Sequence, residues 1–507
     1  MSISWGYSPK IEKYIPLADF PADKYLIIAQ QAIENLGWNL SHISETGIIA
    51  YTSVSFQSYS EEISIRIHGN FAVFKSECVG IQMFFNDYGK NDVNLDLFFH
   101  EFEYIQYHLK DIWDEKLLHF HQLIANQDDT YFEKAPLTAK NRIKNFLYLF
   151  LPQKGYLVTP ILIWLNAFYF IFSILFIAIV FENRSDQSLI SEVITNAYLN
   201  LGSNSRELVL EGQYWRLITH QFIHLSISHV FFNMYALVYI GLMVEHKLGS
   251  KNFILLYILS GVCGGLLSLM FHPIGIMAGA SGAIMGLFGA FLAMVLSNAF
   301  ERSANKALLL STILVTAIML LNGFVGERVD NSAHLGGLIS GFTLGYLLFN
   351  ETILNKHWTL KLRYTSVAVI TLMVAGLILW FTPNYQIRRF NELQFAFEQN
   401  SFDFNKVYNI PYDLSKEEKV LYIKKYGIKI WQKNKVIVNE MRKLNLPAKE
   451  NYRRDFDDKI ANRASKIALL LYKEYVEDTT RYRNEMEQLT DEINTIRLEA
   501  GSSEYKW

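Results

Sequence analysis

The 507-residue chain reads as a polytopic α-helical membrane protein, with a soluble α+β domain ahead of the membrane region and a soluble helical domain behind it. Three observations lead there. Hydrophobic residues make up 51% of the chain and charged residues 19%, and the apolar excess is concentrated in uncharged runs rather than spread. Runs long enough to cross a bilayer extend over Leu157–Phe181, Ser228–Val244, Phe253–Phe271, Ala280–Ser297, Ala307–Val325, Ser332–Phe349 and Ser366–Phe381, which predicts seven spans. The remainder falls into two water-compatible blocks, residues 1–150 and 382–507, and a length above 500 residues leaves room for about three domains.

In the first block, Tyr25, Leu26, Ala29, Ala32, Ile33 and Leu36 share one face of a helix over Ala22–Leu36, which Gly37 ends in a C-cap role. Thr46–Val54 and Glu62–Ser76 are rich in β-branched and aromatic residues, with His68-Gly69-Asn70 as a turn, which predicts a meander of strands. A second helix is expected from Leu95 to about Asn126. His100, His108, His119 and His121 are spread over it and read as solvated or core residues. No nucleophile, metal or phosphate motif stands out in this block, so docking or regulation is its default role.

Lys134, Lys140, Arg142, Lys144 and Lys154 precede the first span, and basic residues favour the cytoplasmic side. With the N-terminus inside, His246–Lys251, Arg302–Lys306, and the group Lys356, Lys361 and Arg363 also fall inside, so every short internal loop carries positive charge. Met1–Trp5 lacks the pattern of a cleavable signal, so the spans themselves are expected to direct insertion. Span counting puts the starts of the fourth and sixth runs at the outer face. Beyond the basic linker and seventh run at 350–381, Ser415 and Glu418 form a capping box opening a helix to about Leu444. Asn451–Leu498 is a further helical run, suited to a hairpin or coiled coil, and the C-terminal block is expected outside.

The fourth run opens on Gly279-Ala280-Ser281-Gly282 and continues through Gly286. A Ser hydroxyl attacks carbonyls at neutral pH only when a base takes its proton. The best base is His334, which opens the sixth run two spans later, so both residues reach the same membrane face. Gly282 and Gly286 on one run, and Gly337, Gly341 and Gly345 on the other, repeat every four residues, a spacing that lets membrane helices approach closely. His229 and Asn233, four apart on one face at the outer end of the second run, are polar groups at a costly depth and therefore functional candidates. Helix–helix hydrogen bonding or metal binding are their other readings, but no carboxylate or Cys completes a metal set nearby. Trp215-Arg216 in the long outer loop fits an interfacial anchor.

Gly-Ala-Ser-Gly on one run with Ala333-His334-x-x-Gly337-x-x-x-Gly341 on the next but one resembles the rhomboid intramembrane serine proteases, over about residues 157–349. The resemblance implies a six-span rhomboid-like helical bundle over 151–349, with Ser281 as nucleophile and His334 as general base and acid. It further implies that His229, Asn233 and the Ser281 N–H hold the oxyanion, and that Trp215-Arg216 matches a loop lodged partly in the membrane. Substrates would be transmembrane segments of other proteins, and no cofactor or metal is implied. Met285 departs from the pattern: several rhomboids have there a Tyr packed on the catalytic His. Asp330 reads as a turn or cap residue, because the family works with a dyad.

The balance of charges excludes other classes. A net charge of -2 and the lack of a basic stripe argue against nucleic acid. Cys78 and Cys263 supply no disulfide framework. The runs nearly lack charge, which argues against a channel or transporter. A non-proteolytic rhomboid-like protein that binds or dislocates membrane clients is the rival reading, but such a protein would keep the fold and lose Ser or His. The expected location is a bacterial plasma (inner) membrane, with protein partners for the two soluble domains left open.

Overall fold

The computed structural model describes residues 9–53, 60–79, 86–108, 113–125, 127, 129, 132, 146–182, 190–299, 302–325, 330–349 and 358–504. Lys134, Lys140, Arg142, Lys144 and Lys356, used above to orient the chain, lie outside the described residues. The chain divides into two compact units, 1–205 with 213–271 and 276–381, and 206–212 with 272–275 and 382–507.

The first unit opens with a five-stranded antiparallel sheet: β1 (Lys10–Pro16), β2 (Asn39–Ser44), β3 (Gly47–Tyr51), β4 (Glu61–His68) and β5 (Phe71–Cys78), ordered β1-β5-β4-β3-β2. The β4–β5 turn pairs His68 with Phe71 around Gly69, whose φ is +57°. Helices α1 (Ala22–Asn35), α2 (Lys90–His108) and α3 (Trp113–Ile124) pack on one face, where Ile48, Ala50, Ile63, Ile65 and Phe74 meet Leu26, Ile33, Phe98 and Phe102. The second helix expected from Leu95 therefore starts five residues earlier, and its described part is two helices rather than one. Side chains alternate across a strand, so Ile49 and Tyr51 point the other way. They belong to a continuous apolar cluster with Leu149, Tyr156 and the core of the membrane helices.

All seven apolar runs are helical: α4 (Val158–Glu182), then, after the loop helices α5 (Ile190–Leu201), α6 (Arg206–Leu210) and α7 (Arg216–Thr219), α8 (Ile227–Leu248), α9 (Ser250–Phe271), α10 (Ser281–Leu296), α11 (Arg302–Val325), α12 (Asn331–Leu348) and α13 (Leu360–Phe381). Among the described residues α4, α8, α9 and α13 are by themselves long and apolar enough to cross a membrane, and Ser281–Leu296 and Leu308–Leu321 are shorter apolar helical stretches. The fourth run forms a helix of only 16 residues, ended by Ser297 and by Asn298 at φ +56°, while the last extends back over Lys361 and Arg363 to 22 residues. The seventh run is thus not short, as its uncharged stretch alone implied, because the helix continues through its basic flank.

Glu245, at the end of α8 and fully buried, anchors the start of α4. Its carboxylate accepts the Leu157, Val158 and Thr159 N–H groups at 2.7, 2.8 and 2.9 Å, together with the Thr159 and Ser250 hydroxyls. These are N–H groups a helix cannot satisfy internally, and a negative charge there complements the helix dipole.

The second unit is helical: α14 (Ile387–Phe404), α15 (Lys416–Ile423), α16 (Lys429–Met441), α17 (Ala448–Glu477) and α18 (Arg483–Glu504) surround Phe390, Phe397, Trp431, Val438 and Ala461. Ser415 and Glu418 make the expected capping box, and Asp478, in the left-handed region, separates α17 from α18. Within this unit Arg388 pairs with Glu207 and Glu211, and Arg206 lies over the Tyr385 ring.

Asp457 is buried on α17, and burial pushes its carboxyl up to about 7; Gln394 and Arg453 oppose this and Glu398 reinforces it. The folded state then keeps a proton that the unfolded chain releases above its ordinary carboxylate pKa. Stability of the helical unit therefore falls as pH rises from about 4 to about 7 and is flat above that. Asp457→Asn is expected to abolish this slope and to raise stability at pH 8 by a few kcal/mol, since each pH unit separating the folded and unfolded pKa is worth about 1.4 kcal/mol. Amide hydrogen exchange of α16 and α17 across pH, corrected for intrinsic rates, measures it; an unchanged slope would contradict the assignment.

Candidate active site

Ser281 is the first residue of α10, half-buried, with Ala280 as N-cap. At that position its N–H is not used by the helix ladder and stays available. The turn into the helix depends on Gly279. Its φ of +132° is strained for any residue with a Cβ, and a Cβ there would lie 2.8 Å from Cε1 and Nε2 of His229. Glycine thus lets the His229 ring lie against the backbone two residues before Ser281. The Gly279 N–H donates to the His220 carbonyl at 2.9 Å, which holds the turn to the segment between α7 and α8.

His334 stands in the first turn of α12, buried, and its Nδ1 has no hydrogen-bond partner among the described residues. The expected glycine contact is present along three successive turns. Cβ atoms at Gly337, Gly341 and Gly345 would collide with the backbones of Gly282, Gly286 and Ala290. Gly282 and Ala333, the neighbours of Ser281 and His334, also approach: a Cβ on Gly282 would be 3.5 Å from the Ala333 carbonyl oxygen. The ends of α10 and α12 that carry Ser281 and His334 are therefore packed backbone to backbone.

His229 and Asn233 lie on the first two turns of α8, whose N-cap Ser226 accepts the His229 N–H at 3.1 Å. Asn233 Nδ2 donates to the His229 carbonyl at 3.0 Å, which uses one of the two amide hydrogens and leaves the other. Sequence reasoning gave no role to His224, which is buried and meets His229 edge-on at 5.0 Å between ring centroids. Nor did it use His220, whose Nδ1 lies 2.8 Å from the Arg216 carbonyl oxygen. The signal was the four-residue spacing of these two histidines directly before His229.

Trp215 and Arg216 divide their roles. Trp215 is exposed, as an interfacial residue would be, whereas Arg216 is buried beneath it with its guanidinium 4.5 Å from the indole centre. Arg216 Nη1 donates to the Leu199 and Ser203 carbonyls at 2.6 and 2.9 Å, and Nε to Gln213 at 2.8 Å. It ties off the C-terminal end of α5 and fixes the loop between α4 and α8. Met285 is fully buried in the membrane core, and among the described residues no group of three or more His, Cys, Asp or Glu is arranged to hold a metal.

Residues 211–351, which include every residue of this site, match the Rhomboid domain family model. The putative rhomboid protease YdcA of Bacillus subtilis is 34% identical over 140 residues, covering 27% of this chain and 69% of that protein. The chain belongs to the rhomboid family. Rhomboid protease GluP of Bacillus subtilis is 34% identical over 194 residues, 38% of this chain and 37% of its own length. RHOMBOID-like protein 1 of Arabidopsis thaliana is 45% identical over 141 residues, 28% and 36% respectively. This rhomboid spans a little over a third of the length of these last two relatives. With its apolar helices, it is a multi-pass membrane protein.

Proposed function

We propose that this rhomboid is an intramembrane serine endopeptidase that cleaves a peptide bond in or beside a transmembrane segment of another protein. The observation that carries the reading is the backbone-to-backbone packing of α10 on α12, which brings together the ends bearing Ser281 and His334. Ser281 Oγ bonds to the substrate carbonyl carbon as its proton passes to the His334 imidazole. The tetrahedral adduct collapses, the C–N bond breaks, and His334 returns the proton to the leaving amine. Water, deprotonated by the same imidazole, then hydrolyses the acyl ester and restores Ser281. The developing oxyanion is held by the Ser281 N–H, the His229 ring and the unused hydrogen of the Asn233 amide.

Substrates are segments that unwind readily near the outer face, because a hydrogen-bonded helix hides its carbonyls. Asn233→Ala and His229→Ala are each expected to lower kcat by about 10²-fold, in the range found for lost oxyanion donors. Thermal unfolding measured beside kcat decides between roles: a fall in stability with unchanged kcat of the folded fraction would make both residues helix-packing groups.

The orientation belongs to the same proposal. All seven apolar helices cross a bacterial plasma membrane, residues 1–150 are a cytoplasmic domain, 350–381 form linker and seventh span, and 382–507 face outside with Ser281. Lys361 and Arg363 at the start of α13 favour that direction. Protease added to spheroplasts is expected to remove a C-terminal tag and spare an N-terminal one. A protected C-terminal tag would contradict the crossing of α13.

A further inference from the structure

We infer that Asp330 and Ser268 form a positioning pair that sets the register of His334 against Ser281, an inference that rests on the dyad reading above. Asp330 is the N-cap of α12. Its Oδ1 accepts the Ala333 N–H at 3.0 Å and the Ser332 hydroxyl, and its backbone carbonyl accepts the His334 N–H at 3.1 Å. Its Oδ2 accepts a hydrogen bond from the Ser268 hydroxyl, which belongs to a different helix, α9, and is buried. The residue four before His334 thus does more than end a turn: it ties the first turn of α12 to a neighbouring span.

The glycine contact explains why such a tie is needed. Gly282, Gly286, Gly337 and Gly341 let α10 and α12 touch, but backbones without side chains offer little that interlocks, so sliding or rotation of α12 meets weak resistance. On the α9 side the approach is also close: a Cβ on Gly264 would lie 2.7 Å from the Ala333 carbonyl oxygen, and one on Gly336 would lie 2.9 Å from the Leu267 Cβ and 3.1 Å from the Cys263 carbonyl oxygen. A general base works only within a narrow range of distance and angle. The Asp330–Ser268 hydrogen bond supplies a directional contact at the end of α12 that carries His334. The residue type follows from counting donors. Two hydroxyls and one N–H converge on the side chain, and an ionised carboxylate, with acceptor capacity on both oxygens, takes them all.

The test uses the full-length protein in detergent or vesicles, a transmembrane peptide substrate and a fluorophosphonate probe. Ser268→Ala removes the tie and leaves the cap; it is expected to lower kcat and the rate of probe labelling about 10-fold, with KM and Tm unchanged. Asp330→Ala is expected to lose about 10²-fold, and adding Ser268→Ala to it should cost nothing more, because the two side chains act as one unit. Asp330→Asn keeps the cap, and its amide can donate to the Ser268 oxygen, so it is expected to recover most of the activity. Wild-type kcat in Ser268→Ala, additive losses in the double variant, or a loss of kcat that merely follows Tm would each overturn the pairing. If Asp330→Ala fails to fold, Ser268→Ala still decides. Wild-type protein that neither cleaves nor labels at Ser281 would overturn the dyad reading itself. An active, Ser281-dependent protein with silent Ser268→Ala would remove only the pairing.

Discussion

Replacing Ser281 or His334 by Ala is expected to lower cleavage by about 10⁴-fold or more while the protein still inserts and folds. Each change leaves the reaction without a step it needs: no covalent acceptor in one case, no group to take the hydroxyl proton in the other. Ser281 stands at the first position of α10 and half exposed, so losing its oxygen disturbs little packing. His334 is buried, but its Nδ1 has no partner among the described residues, so its removal breaks no hydrogen bond from that atom. The double variant is expected to be no worse than either single one, since the two act together. Cleavage assays on protein that passes a thermal-unfolding check measure both points. Wild-type activity in Ser281→Ala would mean that the nucleophile lies elsewhere.

The second large effect is structural. Gly341→Ala is expected to remove most folded protein, although it adds a single methyl group. That Cβ would fall inside the van der Waals shell of the Gly286 Cα, carbonyl carbon and carbonyl oxygen, and backbone cannot rotate aside as a side chain does. Helices α10 and α12 would have to separate. Overpacking of this kind costs about 1–3 kcal/mol and at times more, and the separation also pulls the start of α12 from Ser281. Gly376→Ala on α13 is the control: no atom lies within 4 Å of its would-be Cβ, and the change is expected to be neutral or slightly stabilising. Tm and yield after purification compare them. Equal behaviour of the two variants would contradict the close contact.

The parts of the fold legible in the sequence were those whose signal is local. Uncharged runs located seven helices, and small residues every fourth position marked the α10–α12 contact, because nothing else in an apolar run explains that spacing. Ser415 with Glu418, and Gly69 in its turn, were legible for the same reason. Strands β1 and β2 were not: both are sheet edges, and Lys10-Ile11-Glu12-Lys13-Tyr14 carries the charge that discourages pairing with other chains, which dilutes the apolar alternation.

Partners distant in sequence were equally hidden. Glu245 looks like a charge marking the end of a span, yet it gathers three N–H groups more than 80 residues away. Ser268 looks like one more small residue in a membrane helix, and only the approach of α12 gives it Asp330 as a partner. At the candidate site, Ser281, His334, His229 and Asn233 stood out as polar residues in apolar surroundings. His224 did not, because its burial beside His229 belongs to the folded chain and not to its sequence neighbours.

One measurement bears most directly on the assignment of Ser281 as an activated nucleophile. Purified wild-type protein is treated with a fluorophosphonate probe, which forms a stable phosphorus–oxygen bond only with an activated hydroxyl, and the adduct is mapped by peptide mass spectrometry. The expected result is a single adduct on Ser281, lost in Ser281→Ala and strongly reduced in His334→Ala. Folded wild-type protein that remains unlabelled, or an adduct on another residue that persists in Ser281→Ala, would contradict it.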